Sequence, residues 1–195
     1  MFFPMLPKPL YRALAATSID GKIAKRADHF SDWTSPEDKQ HLRDTIAASD
    51  VIVIGNNTYK LAEDRLQKRN CIVLTSTVAT IQRIHSLLTY MNPSNYPLAD
   101  LINESGYKTI CILGGTQIYS YCLHNNLIDE LHITVEPVVF GEGLPLFNTP
   151  HESNFELTSS QQLNKRGTML LKYTYNKKDL QWKPPGFQTF PVRSP

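Results

Sequence analysis

The 195-residue sequence predicts an α/β fold, with a mixed, mostly parallel central sheet flanked by helices and a C-terminal antiparallel hairpin. Three observations carry this. Short runs rich in β-branched residues, such as Val51-Ile52-Val53-Ile54, alternate with helix-like segments through residue 136, as the strands and crossovers of a parallel sheet do. Several runs end in Gly, Ser, Thr or Asn, the punctuation of strand-to-helix turns. Two strand-like runs, 155–163 and 168–175, are joined by Asn164-Lys165-Arg166-Gly167 and read as a hairpin.

The elements follow in order. Residues 1–9 hold three prolines and read as a lead-in; no basic segment precedes their apolar residues, so a signal peptide is not expected. The first strand is 10–16. A helix over 36–48 has Ser35 as N-cap, Pro36 at its first position and Glu37 and Asp38 in its first turn, with Leu42 and Ile46 on its buried face. Val51–Ile54 is a strand stopped by Gly55, and a short helix starts at about Thr58. Residues 70–75 are a strand; 78–95 fit either a helix or a loop with a short strand near 86–91. A helix from Pro97 to Ser105 ends at Gly106. A strand over 107–113, the pair Gly114-Gly115, a helix over 116–124 and a strand over 130–136 complete the alternation. Residues 10–176 thus form a single domain, and 177–195, with four prolines, form a tail that is neither helix nor central strand.

Composition narrows the function. With 41% hydrophobic and 19% charged residues the chain is globular, and it has no apolar run long enough to span a membrane. Cys71, Cys111 and Cys122 have neither zinc-site spacing nor a disulfide framework; they read as core, no metal is expected, and a reducing cytoplasm fits. Residues 164–195 carry a net +6 against −4 for the rest. These cations interleave with a strand-like run, which reads as a solvated sheet face rather than a nucleic-acid surface.

Ligands of open α/β sheets gather at the carboxyl ends of the strands. Here those ends read Thr17-Ser18-Ile19-Asp20-Gly21, Gly55-Asn56-Asn57-Thr58, Thr75-Ser76-Thr77 and Gly114-Gly115-Thr116. Glycines before a helix start let a phosphate approach free N–H groups, although a tight turn needs glycines too. The usual G-x-G-x-x-G motif is absent. Hydroxyls at Thr75 and Ser76 suit a ribose or 2′-phosphate, or simply lead into a loop. In "WTSPED" (33–38), Asp38 suits helix capping or a ligand, and the Trp33 indole suits core or a pocket for a flat heterocycle.

Taken in order, "AATSIDGKIA" (15–24), "WTSPED", "VIVIGNNTY" (51–59), "NCIVLTS" (70–76), "ILGGTQIY" (112–119) and "DELHITVEPVVFGEGLPLF" (129–147) resemble the dihydrofolate-reductase-like superfamily over about residues 10–175. The branch most resembled contains the reductase of riboflavin biosynthesis. The resemblance implies NADPH as cofactor, a small-molecule substrate and a homodimer. It implies hydride transfer to a ribosylamino-pyrimidine 5′-phosphate; a dihydrofolate or other pterin reductase is the alternative, and a non-catalytic nucleotide-binding protein of the same fold the next. It places Ala15, Ala16 and Thr17 beside the nicotinamide amide. Gly55, Asn56, Asn57 and Thr58, then Thr75 and Ser76, and then Gly114, Gly115, Thr116, Gln117 and Ile118 follow along the rest of the cofactor. Asp20 and Asp38 are its catalytic candidates, acting first by orienting substrate. Ser18, Trp33, Ser35, Arg65, Lys68 and Thr134 are its substrate-binding candidates.

Departures from the family pattern stand out. "KLAEDRLQKRN" (60–70) lacks the proline of the riboflavin-type phosphate site, and Lys68 stands near where the folate enzyme has an arginine. Asn56 leaves NADPH preference to Thr75 and Ser76. The zinc deaminase motifs often fused to the riboflavin enzyme are not present. In the tail, Trp182, Phe187 and Phe190 read as a contact, on the chain's own domain or across a dimer.

Overall fold

The computed structural model describes residues 8–29 and 31–176. The readings made of residues 1–7 and of the tail after Asn176 lie outside the described residues.

The strands are β1 (Leu10–Thr17), β2 (Lys22–Ala24), β3 (Val51–Gly55), β4 (Cys71–Leu74), β5 (Ile81–His85), β6 (Leu88–Met91), β7 (Thr109–Ile112), β8 (Glu130–Val135), β9 (Leu144–Pro145), β10 (Phe155–Gln162) and β11 (Met169–Tyr175). The helices are α1 (Pro36–Ala47), α2 (Asn56–Leu66), α3 (Leu98–Glu104) and α4 (Thr116–His124), and a 3-10 turn covers Ser31–Trp33. Nine strands form one sheet in the order β10-β11-β8-β1-β7-β3-β4-β6-β5. The strands from β8 to β6 in that order are parallel; β11 and β5 run antiparallel to their neighbours.

The pleat sorts the core. Val51 and Val53 of β3 join one apolar cluster, and Ile52 and Ile54 join the other; β4 and β7 divide in the same way. Leu98, Leu101, Tyr119 and Cys122, from α3 and α4, pack in the first cluster; Ile46, Tyr59 and Leu66, from α1 and α2, pack in the second. Strands buried on both faces cannot alternate polar and apolar residues, which is why β3 reads as a continuous run. The three cysteines are free and buried, and burial pushes the thiols of Cys71 and Cys111 up to about 12, so they pack rather than react.

Residues 78–95 are not helical. β6 pairs with β4 through Cys71↔Leu88 to Leu74↔Met91, which seats Leu88 and Met91 in the core. β5 folds back on β6 as an exposed edge strand, an element beyond the short strand expected there. Helix α2 starts at Asn56, two residues before the expected Thr58, because Gly55 itself occupies the N-cap and its N–H reaches Gly114 O at 2.8 Å. The short β2–β9 ribbon, Lys22↔Pro145 and Ala24↔Leu144, escapes sequence patterning because it is made by two loops. Among the described residues no helix is long and apolar enough to cross a membrane.

Candidate active site

A cleft of about 740 Å³ opens between α1, α2 and the sheet face bearing Leu14, Ala16, Ile54, His132 and Thr134. Helix α1 delivers Asp38 to its wall. The Ser35 Oγ accepts the Asp38 N–H at 3.2 Å, and Pro36 needs no acceptor, so the helix starts there with its first-turn carboxyl turned inward. Asp38 is buried at 9% exposure. Burial pushes its carboxyl above the ordinary range and the Glu136 charge adds to the rise, while the hydroxyls of Thr134 and Thr34 oppose it. An inward carboxyl beside a hydroxyl on β8 can take two in-plane N–H donors from a heterocycle.

Trp33 forms an adjoining wall. Its ring meets Phe140 edge-on at 4.9 Å and stacks with His29 at 6.5 Å. Its Nε1 is buried with no partner among the described residues, a donor left for something in the cleft.

The cofactor end is built where β3 and β7 finish side by side. Helices α2 and α4 begin at Gly55 and Gly115, and neither N-cap has a side-chain hydrogen bond, so first-turn N–H groups of both stay available to an anion. The Gly114–Gly115 peptide is cis. The three glycines differ in cause. A Cβ on Gly55 would lie 2.9 Å from Ile118 Cγ1, and Gly114 has φ +76° with the Tyr119 ring filling the space a Cβ would need. Both are required by packing. Gly115 lines the cleft, and a Cβ there would meet only Thr58 Oγ1, at 3.6 Å. The protein gives no reason for that glycine; a phosphate approaching the backbone does. The residues present therefore fit a dinucleotide.

The match to known proteins agrees with this architecture. Residues 12–179 match the family model described as dihydrofolate reductase. The chain belongs to the dihydrofolate reductase family. A relative, the uncharacterized protein YwjB of Bacillus subtilis, is 30% identical over 161 residues, 78% of this chain and 87% of the relative. Among solved structures, a pyrimidine reductase-like protein of Corynebacterium diphtheriae aligns with TM-score 0.70 and 18% identity over 87% of this chain and 92% of its own. Dihydrofolate reductase of Enterococcus faecalis, complexed with NADP(H) and RAB-propyl, aligns at 0.63 and 18% over 87% and 98%. The riboflavin biosynthesis reductase Rib7 of Saccharomyces cerevisiae aligns at 0.61 and 14% over 90% and 93%. At these identities the structures establish a shared fold.

Within this family fold, Ala15, Ala16, Trp33, Asp38, Thr58, Arg65, Gly115 and Thr134 come together on the cleft. The other candidates do not line it. Thr17 is buried and its carbonyl accepts the Glu136 N–H at 2.8 Å. Ser35 is spent on the helix cap. Ile118 packs over Gly55, and Thr116 Oγ1 donates to Pro145 O at 2.6 Å, tying α4 to the β9 loop. Asn56, Asn57 and Gln117 stand in the first turns of α2 and α4, outside the cleft lining. Thr75 Oγ1 closes its own turn, accepting the Thr77 N–H at 3.2 Å, and the exposed hydroxyl-bearing residues at that strand end are Ser76 and Thr77.

Asp20 and Ser18 lie outside the cleft lining. Ser18 Oγ accepts the Lys22 N–H at 3.0 Å and closes the turn after β1. The Asp20 carboxylate accepts Phe140 N–H at 3.0 Å and Gly141 N–H at 2.9 Å, so it is occupied in bracing the loop that carries Phe140 against Trp33. The Phe140 N–H, then Ser18, hold its carboxyl down at about 2. The turn aspartate thus braces the loop that packs on Trp33 of the cleft wall. Asp20→Ala is expected to release Phe140, alter Trp33 fluorescence and weaken ligand binding by roughly three- to tenfold, one hydrogen bond's worth. Fluorescence and titration calorimetry check it; a collapse of turnover at unchanged affinity would instead return Asp20 to the reacting centre.

Lys68 is exposed and does not line the cleft; Arg69, one residue on, does. Lys39, Arg43 and Arg65 line the cleft with it, as do Asp32 and Asp38. Arg69 follows the end of α2, where no periodic pattern could orient it. His41 and His132 were also invisible in the sequence, being 91 residues apart, yet their Nε2 and Nδ1 lie 3.1 Å from each other on the cleft wall. Burial lowers both, and His132 falls to about 3, with His41 as its next cause. The lowering favours the neutral imidazole in both, the form in which one ring donates its N–H to the other.

Proposed function

We propose that the protein is an NADPH-dependent reductase of riboflavin-biosynthesis type, acting on a ribosylamino-pyrimidine 5′-phosphate that keeps its 2-amino group. The observation that carries the substrate is Asp38 beside Thr134. A 2-amino-4-oxopyrimidine presents two adjacent N–H donors, at N3 and the 2-amino group, to a carboxylate; a uracil would turn its C2 carbonyl oxygen toward that carboxylate and be repelled. Gly115 and the open starts of α2 and α4 support the pyrophosphate of NADPH. When bound, that cofactor supplies a hydride. The chain's part is to orient the heterocycle through Asp38, Thr134 and Trp33, to keep water out, and to hold the anionic end of the substrate at Arg65 and Arg69. A homodimer in the cytoplasm belongs to the same proposal.

One observation favours a pterin or folate as second reading. Leu42, Ile46, Leu61, Ala62 and Leu66 line the cleft between α1 and α2. This apolar wall suits an aryl linker better than a ribosyl chain, whose hydroxyls would need partners. The test is to incubate protein with NADPH and, in turn, the diaminopyrimidinone phosphate, its uracil counterpart and dihydrofolate, following the absorbance of the reduced nicotinamide. Turnover is expected with the first, at least about tenfold above the uracil. Turnover with dihydrofolate alone would establish the second reading, and consumption with none would remove both. On the active substrate, Arg65→Ala and Arg69→Ala should each raise KM about tenfold, the loss of a charge-assisted contact, with Lys68→Ala near wild type. A Lys68 effect as large as Arg69's would displace the anion site.

A further inference from the structure

Glu136 is a buried acid that touches nothing in the cleft. It follows β8, is 4% exposed and is absent from the cleft lining. Each of its oxygens meets a donor. Oε1 accepts the Ser35 backbone N–H at 2.6 Å, and Oε2 accepts the Thr168 hydroxyl at 2.7 Å. The Thr168 oxygen itself accepts from Asn164 Nδ2 at 3.0 Å, which leaves the hydroxyl proton for Glu136. Two accepting oxygens are the pattern of an ionised carboxylate.

Ser35 is the link to the cleft. The residue whose N–H Glu136 holds is the same one whose Oγ caps the Asp38 N–H. Asn164 adds a second grip on that turn through Glu37 Oε2 at 3.1 Å. The end of β8 and the β10–β11 turn therefore clamp the start of α1, and the start of α1 presents Asp38.

We propose that Glu136 is a positioning residue for Asp38: it pins the first turn of α1 through Ser35 and keeps a fixed negative charge behind the cleft carboxyl. The inference rests on the reading of Asp38 as the carboxyl that receives the heterocycle. A nearby like charge disfavours a second ionisation. The other groups facing Asp38 are the hydroxyls of Thr134 and Thr34, Lys39 on its own helix and Tyr119 on α4; Lys39 is the one cation among them. Burial and Glu136 outweigh Lys39 and the two hydroxyls, and the net direction is upward. The carboxylate form of Asp38, the one that accepts two N–H donors, thus becomes available at higher pH than for an ordinary aspartate. Glu136 sets part of that threshold.

The experiment is a carbon NMR titration of labelled aspartate carboxyls in the full chain without ligands, with Asp38→Asn to assign the resonance. Glu136→Gln keeps an oxygen for Ser35 and removes the charge. The Asp38 midpoint is expected to fall by about one pH unit, a tenfold change in proton affinity. Thr168→Val, which strips one donor from Glu136 and leaves more of its negative charge acting on Asp38, should move the midpoint the opposite way, upward, by a smaller step. It serves alone if Glu136→Gln does not fold. A purely structural Glu136 would leave the midpoint of the folded variants in place, and that result overturns the proposal. The titration needs neither NADPH nor substrate. A shifted midpoint with no reductase activity would defeat the function proposed above and leave this inference standing; an active enzyme with an unmoved midpoint would do the reverse.

Discussion

Gly115→Val is expected to leave the chain folded and to weaken NADPH binding by at least about a hundredfold, the equivalent of filling a tightly contacted site. Gly115 has φ −71° and ψ −156°, extended backbone outside the left-handed region, and a Cβ there would meet only Thr58 Oγ1. The side chain would stand in the cleft at the start of α4, where a phosphate would meet the helix N–H groups. The melting temperature should change by no more than a few degrees. Gly114→Ala is the contrast, because its φ of +76° and the Tyr119 ring oppose any side chain, so that variant should be strongly destabilised. Calorimetry with NADPH and thermal unfolding separate the two. Unchanged NADPH affinity in folded Gly115→Val would make the Gly-Gly turn a packing device throughout.

Asp38→Asn should lower turnover by about 10²- to 10³-fold while NADPH affinity stays near wild type. It should also raise the melting temperature at pH 7. Burial lifts the Asp38 carboxyl in the folded state above the value it has when unfolded. Between those two values the folded chain holds a proton that the unfolded chain has released, so stability falls as pH rises through them. Asparagine removes that penalty. The gain should fade on acidification as the wild-type carboxyl protonates in both states. Thermal unfolding against pH and steady-state kinetics check both arms. Loss of stability together with activity would mark Asp38 as a helix-start residue only.

Much of this was legible before any coordinates. Ser35-Pro36-Glu37-Asp38 carries its own start signal, and a short β-branched run such as 51–54, closed by Gly55, reads as a strand buried on both faces. Local chemistry within a few residues decides such elements. Residues 78–95 were ambiguous because a short run containing Leu, Thr and Tyr fits either period until β4 offers its edge to Leu88–Met91.

The site divides in the same way. Which strand ends carry glycines and hydroxyls, and that a carboxyl and an indole lie at a helix start, is written in the local pattern. Which of these face one another follows from how the strands and helices assemble. Asp20 and Ser18 stand in a motif that suggests a pocket, yet their oxygens are taken up by backbone N–H groups of Phe140, Gly141 and Lys22. Gly55 and Gly114 look like Gly115 in the sequence, but Ile118 and the Tyr119 ring account for the first two and nothing in the chain accounts for the third. His41 meets His132, and Glu136 meets Ser35, across gaps of 91 and 101 residues. No periodicity spans such distances: these contacts arise from strand order, register and helix placement, which bring together groups that short-range pattern treats as independent.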